Sequence, residues 1–444
     1  MVVRVVEGAD RPSAGTLRLV VVASIAGAAT GVVASTFGLL LEHAASLRGD
    51  LIGWAHDRSV LGFAVLLLVV AATTTAAALM VHGMEPHAEG SGIPRVEAIV
   101  EGRADPGRAR ILPVKYVGGL LAIGGGLALG REGPSVQMGG VVASVCARVT
   151  RLGRDDLRMV VAGGAAAGLA TAFNAPIAGG VFVLEELFKR FDPRASLATL
   201  AASGSGFAAT HLLHADDLVF TMPTLPAPSL SQAPLVVMVA LLCGVLGVAY
   251  NRAVMAGLRF VDTTRVPVVV RSVAIGAAVG LLAWLAPGWV GSGDNLTQDA
   301  LLGHGAVATV VLMLAVRFAL GVVSYAANTP GGLFAPMLVL GTESGLLVGL
   351  VAAKVTTLAP GMAAALALTG LAAFFTASVQ APVTGLILAT EMTGSVTWLP
   401  PMLGAVALAM LLARLLGGIP IYDALTARSA HNARVNLEDK GLVA

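Results

Sequence analysis

Two glycine-rich stretches decide the fold: Gly130-Arg131-Glu132-Gly133-Pro134 and Gly331-Gly332-Leu333-Phe334-Ala335-Pro336. They stand 201 residues apart (331 − 130), and Gly90-Ser91-Gly92 recurs as Gly291-Ser292-Gly293 at the same offset. Further on, Ala175-Pro176-Ile177-Ala178-Gly179, followed by Glu185, matches Ala381-Pro382-Val383-Thr384-Gly385, followed by Glu391, at an offset of 206 (381 − 175). A short insertion explains the change of register. Any one match of small residues is weak in a Gly/Ala-rich chain, but three in the same order predict a duplication. Duplicated halves with interrupted apolar helices point to a transporter whose site lies at the repeat interface near the membrane midplane.

Composition agrees with a membrane setting. Of 444 residues, 56% are hydrophobic and 12% charged, against roughly 25% charged in soluble proteins. With 28 Lys+Arg and 26 Asp+Glu the net charge is +2, which lacks the concentrated basic surface of a nucleic-acid binder. Cys146 and Cys243 are too few for a disulfide framework or a multi-cysteine metal site. The 54 glycines exceed what helices that simply span and pack would need.

The first apolar run, Leu17 to Leu41, is longer than the roughly 7–15 residues of a signal-peptide core and reads as a retained helix. A crossing takes about 20 apolar residues. Leu17–Leu41, Val60–Val81, Ala195–Leu213, Pro234–Val254, Val268–Ala286, Leu333–Ala353 and Leu399–Gly417 qualify. Val114–Leu129 is interrupted by Gly124, Gly125 and Gly126; Val136–Val149 and Met159–Phe173 are short; Asn174-Ala175-Pro176 splits one apolar region in two. Such pieces survive at membrane depth only inside protein or beside a water-filled cavity.

Arg4, Arg11, Arg428, Arg434 and Lys440 place both termini inside by the positive-inside rule. The gaps between Arg194 and Arg252 and between Arg271 and Arg317 predict outward loops near His214–Gln232 and Gly291–Gly305. The expected division is a cytoplasmic segment 1–16, a first membrane repeat 17–216, an outward loop 217–232, a second repeat 233–422 and a cytoplasmic tail 423–444.

The glycine-rich breaks carry the chemistry. In Gly90-Ser91-Gly92-Ile93-Pro94 the glycines allow a tight exposed backbone and the proline suits a first helical position, so a helix is expected to start there. Gly130–Pro134 and Gly331–Pro336 have the same pattern. A helix N-terminus offers unpaired N–H groups and about half a positive charge, and three converging ends make an anion site. Close small-residue helix packing is the bland reading of each cluster, but packing does not require Pro94, Pro134 and Pro336. Glu132 sets a carboxylate at one positive end. Ionised, it occupies the place of an anion; protonated, it loses that attraction and can swing away. Glu185 and Glu186 lie near an inner helix end marked by Lys189, Arg190 and Arg194, where a solvated pairing with those bases competes with a role in feeding protons to Glu132.

With these motifs the chain resembles the CLC family of chloride channels and proton-coupled chloride transporters, from about Leu17 to Arg428. Phe173–Gly179, Glu391–Ser395 and Ile421-Tyr422 are similar to further family landmarks. The resemblance implies an all-α, polytopic membrane protein of two inverted-topology repeats of tilted and broken helices, forming a homodimer with one pathway per subunit. It implies a chloride ion held by Ser91, Gly92, Ile93, Leu333, Phe334 and Tyr422, with Glu132 as gate and Glu186 as internal proton-transfer group. Glu97, Lys115, Arg131 and Glu185 match supporting positions. Arg95 stands where relatives often have an acid, and Glu343 interrupts a normally apolar run with no role assigned to it. With 22 residues after Tyr422 (444 − 422), no regulatory nucleotide-binding domains are expected, and a bacterial inner membrane is.

The expected function is chloride/proton antiport, with an uncoupled chloride channel as the alternative; the partners are chloride, protons and the bilayer, with no cofactor, nucleic acid or nucleotide. An intramembrane hydrolase built on Ser203, Ser205 and His211 lacks the G-x-S-x-G spacing and an orienting acid. His211, His214, Asp216 and Asp217 read better as interface residues than as metal ligands. No phosphate-binding G-x-x-x-x-G-K-[ST] loop supports an ATP-driven pump.

Overall fold

The computed structural model describes residues 14–213, 218–264 and 266–439. Arg4, Arg11 and Lys440, together with His214, Asp216 and Asp217, lie outside the described residues. The first half forms α1 (Ala14–His56), α2 (Ser59–Met84), α3 (Ile93–Val100), α4 (Ile111–Gly124), α5 (Glu132–Val149), α6 (Arg154–Phe173), α7 (Pro176–Phe182) and α8 (Pro193–Leu213). The second forms α9 (Ala233–Thr263), α10 (Val268–Leu285), α11 (Asp294–Leu301), α12 (Val307–Tyr325), α13 (Phe334–Ala352), α14 (Met362–Val379), α15 (Pro382–Thr393) and α16 (Leu399–Leu415); α17 (Ile421–Asp439) follows. The order of long, short and broken helices in α1–α8 recurs in α9–α16.

Local sequence sets the matching breaks. Both α3 and α11 follow a glycine in the left-handed region, Gly92 at φ 80° and Gly293 at φ 94°, where a side chain would be strained. Asn174 and Gln380 end α6 and α14 at φ 50° and 64°, and Pro176 and Pro382 then open α7 and α15, where a missing N–H leaves no bond unmade.

The two halves also hold each other. The Glu185 carboxylate accepts from the N–H groups of Val383 (3.0 Å) and Thr384 (2.7 Å) at the start of α15. In return Glu391 on α15 accepts from Ile177 (3.0 Å) and Ala178 (2.6 Å) at the start of α7. Such i-to-j and j-to-i contacts are the mark of a two-fold relation, which in inverted-repeat transporters lies in the membrane plane. Glu185 is therefore a helix cap reaching into the other half, where the sequence had suggested a solvated end paired with nearby bases.

Glycine explains how the middle of each half closes. A Cβ on Gly139 or Gly164 would strike the other residue's carbonyl oxygen, and Gly341 and Gly370 face each other in the same way. Thus α5 packs backbone to backbone on α6, and α13 on α14. These helices form the interior: 78%, 83% and 94% of the apolar windows of α6, α13 and α14 are buried, against 28% for α10 and α12.

Several boundaries depart from expectation. α1 runs on past Leu41 to His56, carrying exposed Glu42 and Asp50 on its last turns. Met159–Phe173 is the end of a 20-residue helix whose first turn holds Asp155 and Asp156. α12 and α14 are crossings of 19 and 18 residues that were not expected. The segment expected as an outward loop at Gly291–Gly305 instead contains α11, which buries Leu296, Thr297, Ala300 and Leu301. Its apolar face packs against α13 while Asp294, Asn295, Asp299 and His304 stay exposed.

Gly370→Ala should push α13 and α14 apart and cost about 1–3 kcal/mol, the usual penalty of overpacking, read as a lower apparent Tm in detergent. Gly204→Ala, on α8 with nothing within 4 Å of the new Cβ, should leave the Tm unchanged or slightly raised.

Candidate anion site at converging helix ends

Backbone hydrogen bonds stitch the three glycine-rich loops together. Gly90 donates to Thr329 O (3.1 Å) and Gly331 donates back to Gly90 O (3.0 Å). Gly130 donates to Gly332 O (2.9 Å), and Gly332 to Gly130 O (2.8 Å). The loops before α3, α5 and α13 thus lie side by side, and the three N-termini with their unpaired N–H groups face one place.

The loop carbonyls are held away from that place by a buried cation. Lys115 on α4, fully buried, donates to Ala88 O (3.1 Å), Glu89 O (3.4 Å) and Gly90 O (2.6 Å). The second half repeats the device: Arg317 on α12 donates to Trp289 O (3.1 Å), Gly291 O (2.8 Å) and Ser292 O (2.7 Å). Arg317 carried no expectation, because the glycines' offset of 201 carries Lys115 onto Val316, and its role shows only in the carbonyls it gathers. Both cations are committed to carbonyls, leaving the anion to backbone dipoles.

The duplicated serines diverge. Ser292 donates to Asp294 Oδ2 at 2.9 Å, whereas Ser91 Oγ accepts from the Ile93 N–H at 3.3 Å and its hydroxyl lies against that of Tyr325, with no carboxylate to take its proton. The Ser91 N–H donates to the Tyr325 hydroxyl at 3.4 Å. Sequence reasoning missed Tyr325, since it closes an apolar helix with no motif of its own. A cavity of about 530 Å³ lined by Tyr325, Arg95 and Arg428 reaches Ser91 and Gly92 from the α17 side.

An aromatic cage fixes the α13 end. The Phe334 ring lies 5.5 Å from Phe173, 5.4 Å from Phe182, 5.1 Å from Phe375 and 5.9 Å from Tyr422 between centroids. Tyr422, in the first turn of α17, is fully buried, and its hydroxyl has no hydrogen-bond partner. An unmade bond of this kind costs roughly 1–3 kcal/mol. An unpaired O–H beside free N–H groups, with no cation among them, suits a small anion that must also leave.

Glu132 opens α5 and is buried. The N–H groups of Glu132 and Ala335 are directed at its carboxylate, so it rests against the ends of α5 and α13, while its Oε2 is unpartnered. A small cavity of about 80 Å³ beside it is lined by Glu42, Arg48, Arg131 and Asp294. Arg131 pairs with Glu42 at 3.3 Å, leaving Glu132 without that neighbour as an ion-pair partner.

Glu186 sits buried in the π-helical turn Val183–Leu187 that prolongs α7, a widened geometry common at functional sites; its Oε1 has no partner. Glu97 on α3 accepts from Lys189 Nζ (3.0 Å) and from the Thr426 hydroxyl (2.7 Å). Partial burial pulls the Lys189 ammonium down, yet the carboxylates of Asp423 and Glu97 raise it above the ordinary lysine value. Glu343 is buried on α13, facing Arg317 and Asp299. The hydrolase residues do not assemble: Ser203 donates to Pro176 O, Ser205 to Ser24 O, and His211 bonds to Phe207 O.

The family model described as voltage gated chloride channel matches residues 73–414. The chain belongs to this CLC family. Like its members it is an integral, multi-pass membrane protein. It is 37% identical over 374 residues to the H(+)/Cl(-) exchange transporter ClcA of Vibrio cholerae serotype O1, covering 81% of this chain and 78% of the relative. The H(+)/Cl(-) exchange transporter ClcA of Vibrio parahaemolyticus is 34% identical, covering 95% and 92%. Among solved structures, a slow cyanobacterial Cl-/H+ antiporter superposes with a TM-score of 0.87 at 29% identity, covering 93% of this chain and 98% of that one. A eukaryotic CLC transporter shares the fold with a TM-score of 0.78 at 24% identity, covering 93% and 74%.

Lys115→Met should free the carbonyls of Ala88 and Glu89 inside the protein, while Gly90 O keeps the Gly331 N–H. At roughly 1–3 kcal/mol for each buried group left unpaired, this CLC chain should lose much of its thermal stability, seen as aggregation on size exclusion at temperatures the wild type survives. Arg317→Met should do the same through the second half.

Proposed function

We propose that the chain exchanges chloride for protons across a bacterial inner membrane, as a homodimer with one pathway in each subunit and both termini cytoplasmic. The observation that carries this reading is the Glu132 carboxylate lying against the N–H groups of Glu132 and Ala335. The gate is itself an anion resting on two of the helix ends that would hold the transported one. Similarity to two Vibrio H(+)/Cl(-) exchange transporters and to a cyanobacterial Cl-/H+ antiporter supports exchange.

In this reading chloride enters from the α17 side and sits among the Ser91 hydroxyl, the backbone at Gly92 and Ile93, the ends at Leu333 and Phe334 and the Tyr422 hydroxyl. Its approach displaces the Glu132 carboxylate, which takes up a proton as it leaves the positive ends. Deprotonation returns the carboxylate and drives the anion out. Glu186 supplies the proton from the α17 face. Glu97, Lys115 and Arg131 support this machinery through the pairings described above, and Glu185 through its cap on α15. No cofactor, nucleotide or nucleic acid takes part. The alternative is an uncoupled chloride channel on the same scaffold. The buried, unpartnered Glu186 Oε1 favours exchange, because a channel has no use for a second intramembrane carboxylate.

Purified protein in liposomes tests both steps. Glu132→Gln should keep chloride flux and abolish proton movement; persistent coupled transport in that variant would sink the gate assignment. Glu186→Gln should pump no protons while chloride flux is largely retained.

Tyr422→Phe removes a hydroxyl that has no partner in the protein. The variant should be at least as stable as wild type without chloride, yet gain less stability from added chloride, with a binding loss of about tenfold. Tenfold is about 1.4 kcal/mol, at the lower end of what one hydrogen bond to an ion contributes, and calorimetric titration with chloride reads it directly.

A further inference from the structure

Glu186 is buried, so its protons must reach water through another group. Four charged side chains face it: Asp423, whose charge acts on it most strongly, then Lys189, Glu97 and Glu185. Three of them are unsuited to carrying a proton. Glu185 is engaged by the N–H groups of Val383 and Thr384 and by the Thr384 hydroxyl. Glu97, with its side chain 1% exposed, is held by Lys189 and Thr426. Lys189 is an ammonium bonded to two carboxylates.

Asp423 differs from all of them. It follows Tyr422 in the first turn of α17, and its side chain is 38% exposed. One oxygen accepts from Lys189 Nζ at 2.6 Å. It is thus the one carboxylate of this cluster that is open to water and acts strongly on Glu186. Lys189 itself adopts φ 53°, a conformation costly for a residue with a Cβ and sustained only when the surroundings over-determine it. The Arg190 N–H donates back to Leu184 O at 3.1 Å, so this turn closes the helix end and aims the Lys189 side chain at the carboxylates on α3 and α17.

Resting on the antiport reading, we propose that Asp423 is the relay through which Glu186 exchanges protons with water on the α17 face, and that Lys189 is the positioning residue that holds Asp423 in place. A proton leaving the Glu186 carboxyl passes, directly or through one water, to the Asp423 carboxylate, leaving Glu186 ionised; Asp423 then gives it to bulk water. Uptake runs in reverse, and no co-reactant is needed. Because Asp423 adjoins Tyr422, the relay and the anion site share one helical turn.

The test is paired chloride and proton flux in liposomes, with calorimetric chloride titration as a check on the anion site. Asp423→Asn should lower proton flux about tenfold with chloride affinity unchanged, and raising the concentration of a membrane-impermeant buffer on the α17 side should restore it. Wild-type flux should not depend on that buffer. Asp423→Glu should remain coupled. A merely structural role for Asp423 would give no buffer rescue, and Asp423→Asn moving protons at the wild-type rate would overturn the relay. Loss of protons in Asp423→Glu with normal chloride affinity would overturn it as well. If wild type itself moves no protons, the antiport reading fails; if only the Asp423 variants behave like wild type, that reading stands and the relay alone falls.

Discussion

The site depends on where backbone carbonyls point. A peptide group carries an N–H and a C=O on opposite sides, so a loop that offers its N–H groups to an anion must place its carbonyls elsewhere, and inside a membrane no water receives them. Lys115 and the reciprocal bonds among Gly90, Gly130, Thr329, Gly331 and Gly332 solve this problem. A full cation is buried, but its charge is spent on oxygen atoms. The anion therefore meets dipoles alone, and weak dipolar holding is what turnover requires.

Duplication supplied two copies of this device, and only one leaves its helix end without a fixed carboxylate. Arg317 gathers the carbonyls before α11 as Lys115 does before α3. Yet α11 begins with Asp294, whose carboxylate takes the proton of Ser292, where α3 begins with apolar Ile93 and offers Ser91 no carboxylate. A fixed carboxylate at a helix N-terminus satisfies that end by itself. The second copy is thus closed to a mobile anion, and the site is built from α3 and α5 of one half and α13 of the other. The same two-fold relation is used symmetrically where only stability is needed, in the exchange of caps between Glu185 and Glu391.

Much of this was legible because glycine and proline act locally. Gly92, Pro176 and Pro382 mark helix starts through φ and a missing N–H, and the structure begins helices there. The doubled pattern also placed the three converging loops. What stayed hidden depends on partners far away in sequence. Nothing near Glu185 shows that it caps a helix 198 residues on, and the Arg in α12 hides a crossing until its carbonyl partners are known. The helix α11 inside an expected loop stayed hidden for a related reason, since its apolar face amounts to Leu296, Thr297, Ala300 and Leu301 and acquires meaning only against α13. α14 carries no charge within its length, so neither the positive-inside rule nor a polar flank fixed its limits.

The rigidity of the site says which part can move. Phe334 is wedged among four rings, and the loop backbones are bonded to one another, so displacing a helix end would break several buried contacts at once. Glu132 is different: its carboxylate lies beside Gly130, where any Cβ would collide with it, and its Oε2 has no partner to lose. A side-chain rotation is the least costly motion available. Since the carboxylate and the transported anion are both negative and draw on neighbouring N–H groups of the α13 end, binding of one disfavours the other, and a proton on Glu132 removes that competition. Under the proposed antiport, coupling follows from this single contest for a fixed set of donors, and it requires only that protons reach Glu132 from a face that the anion does not block.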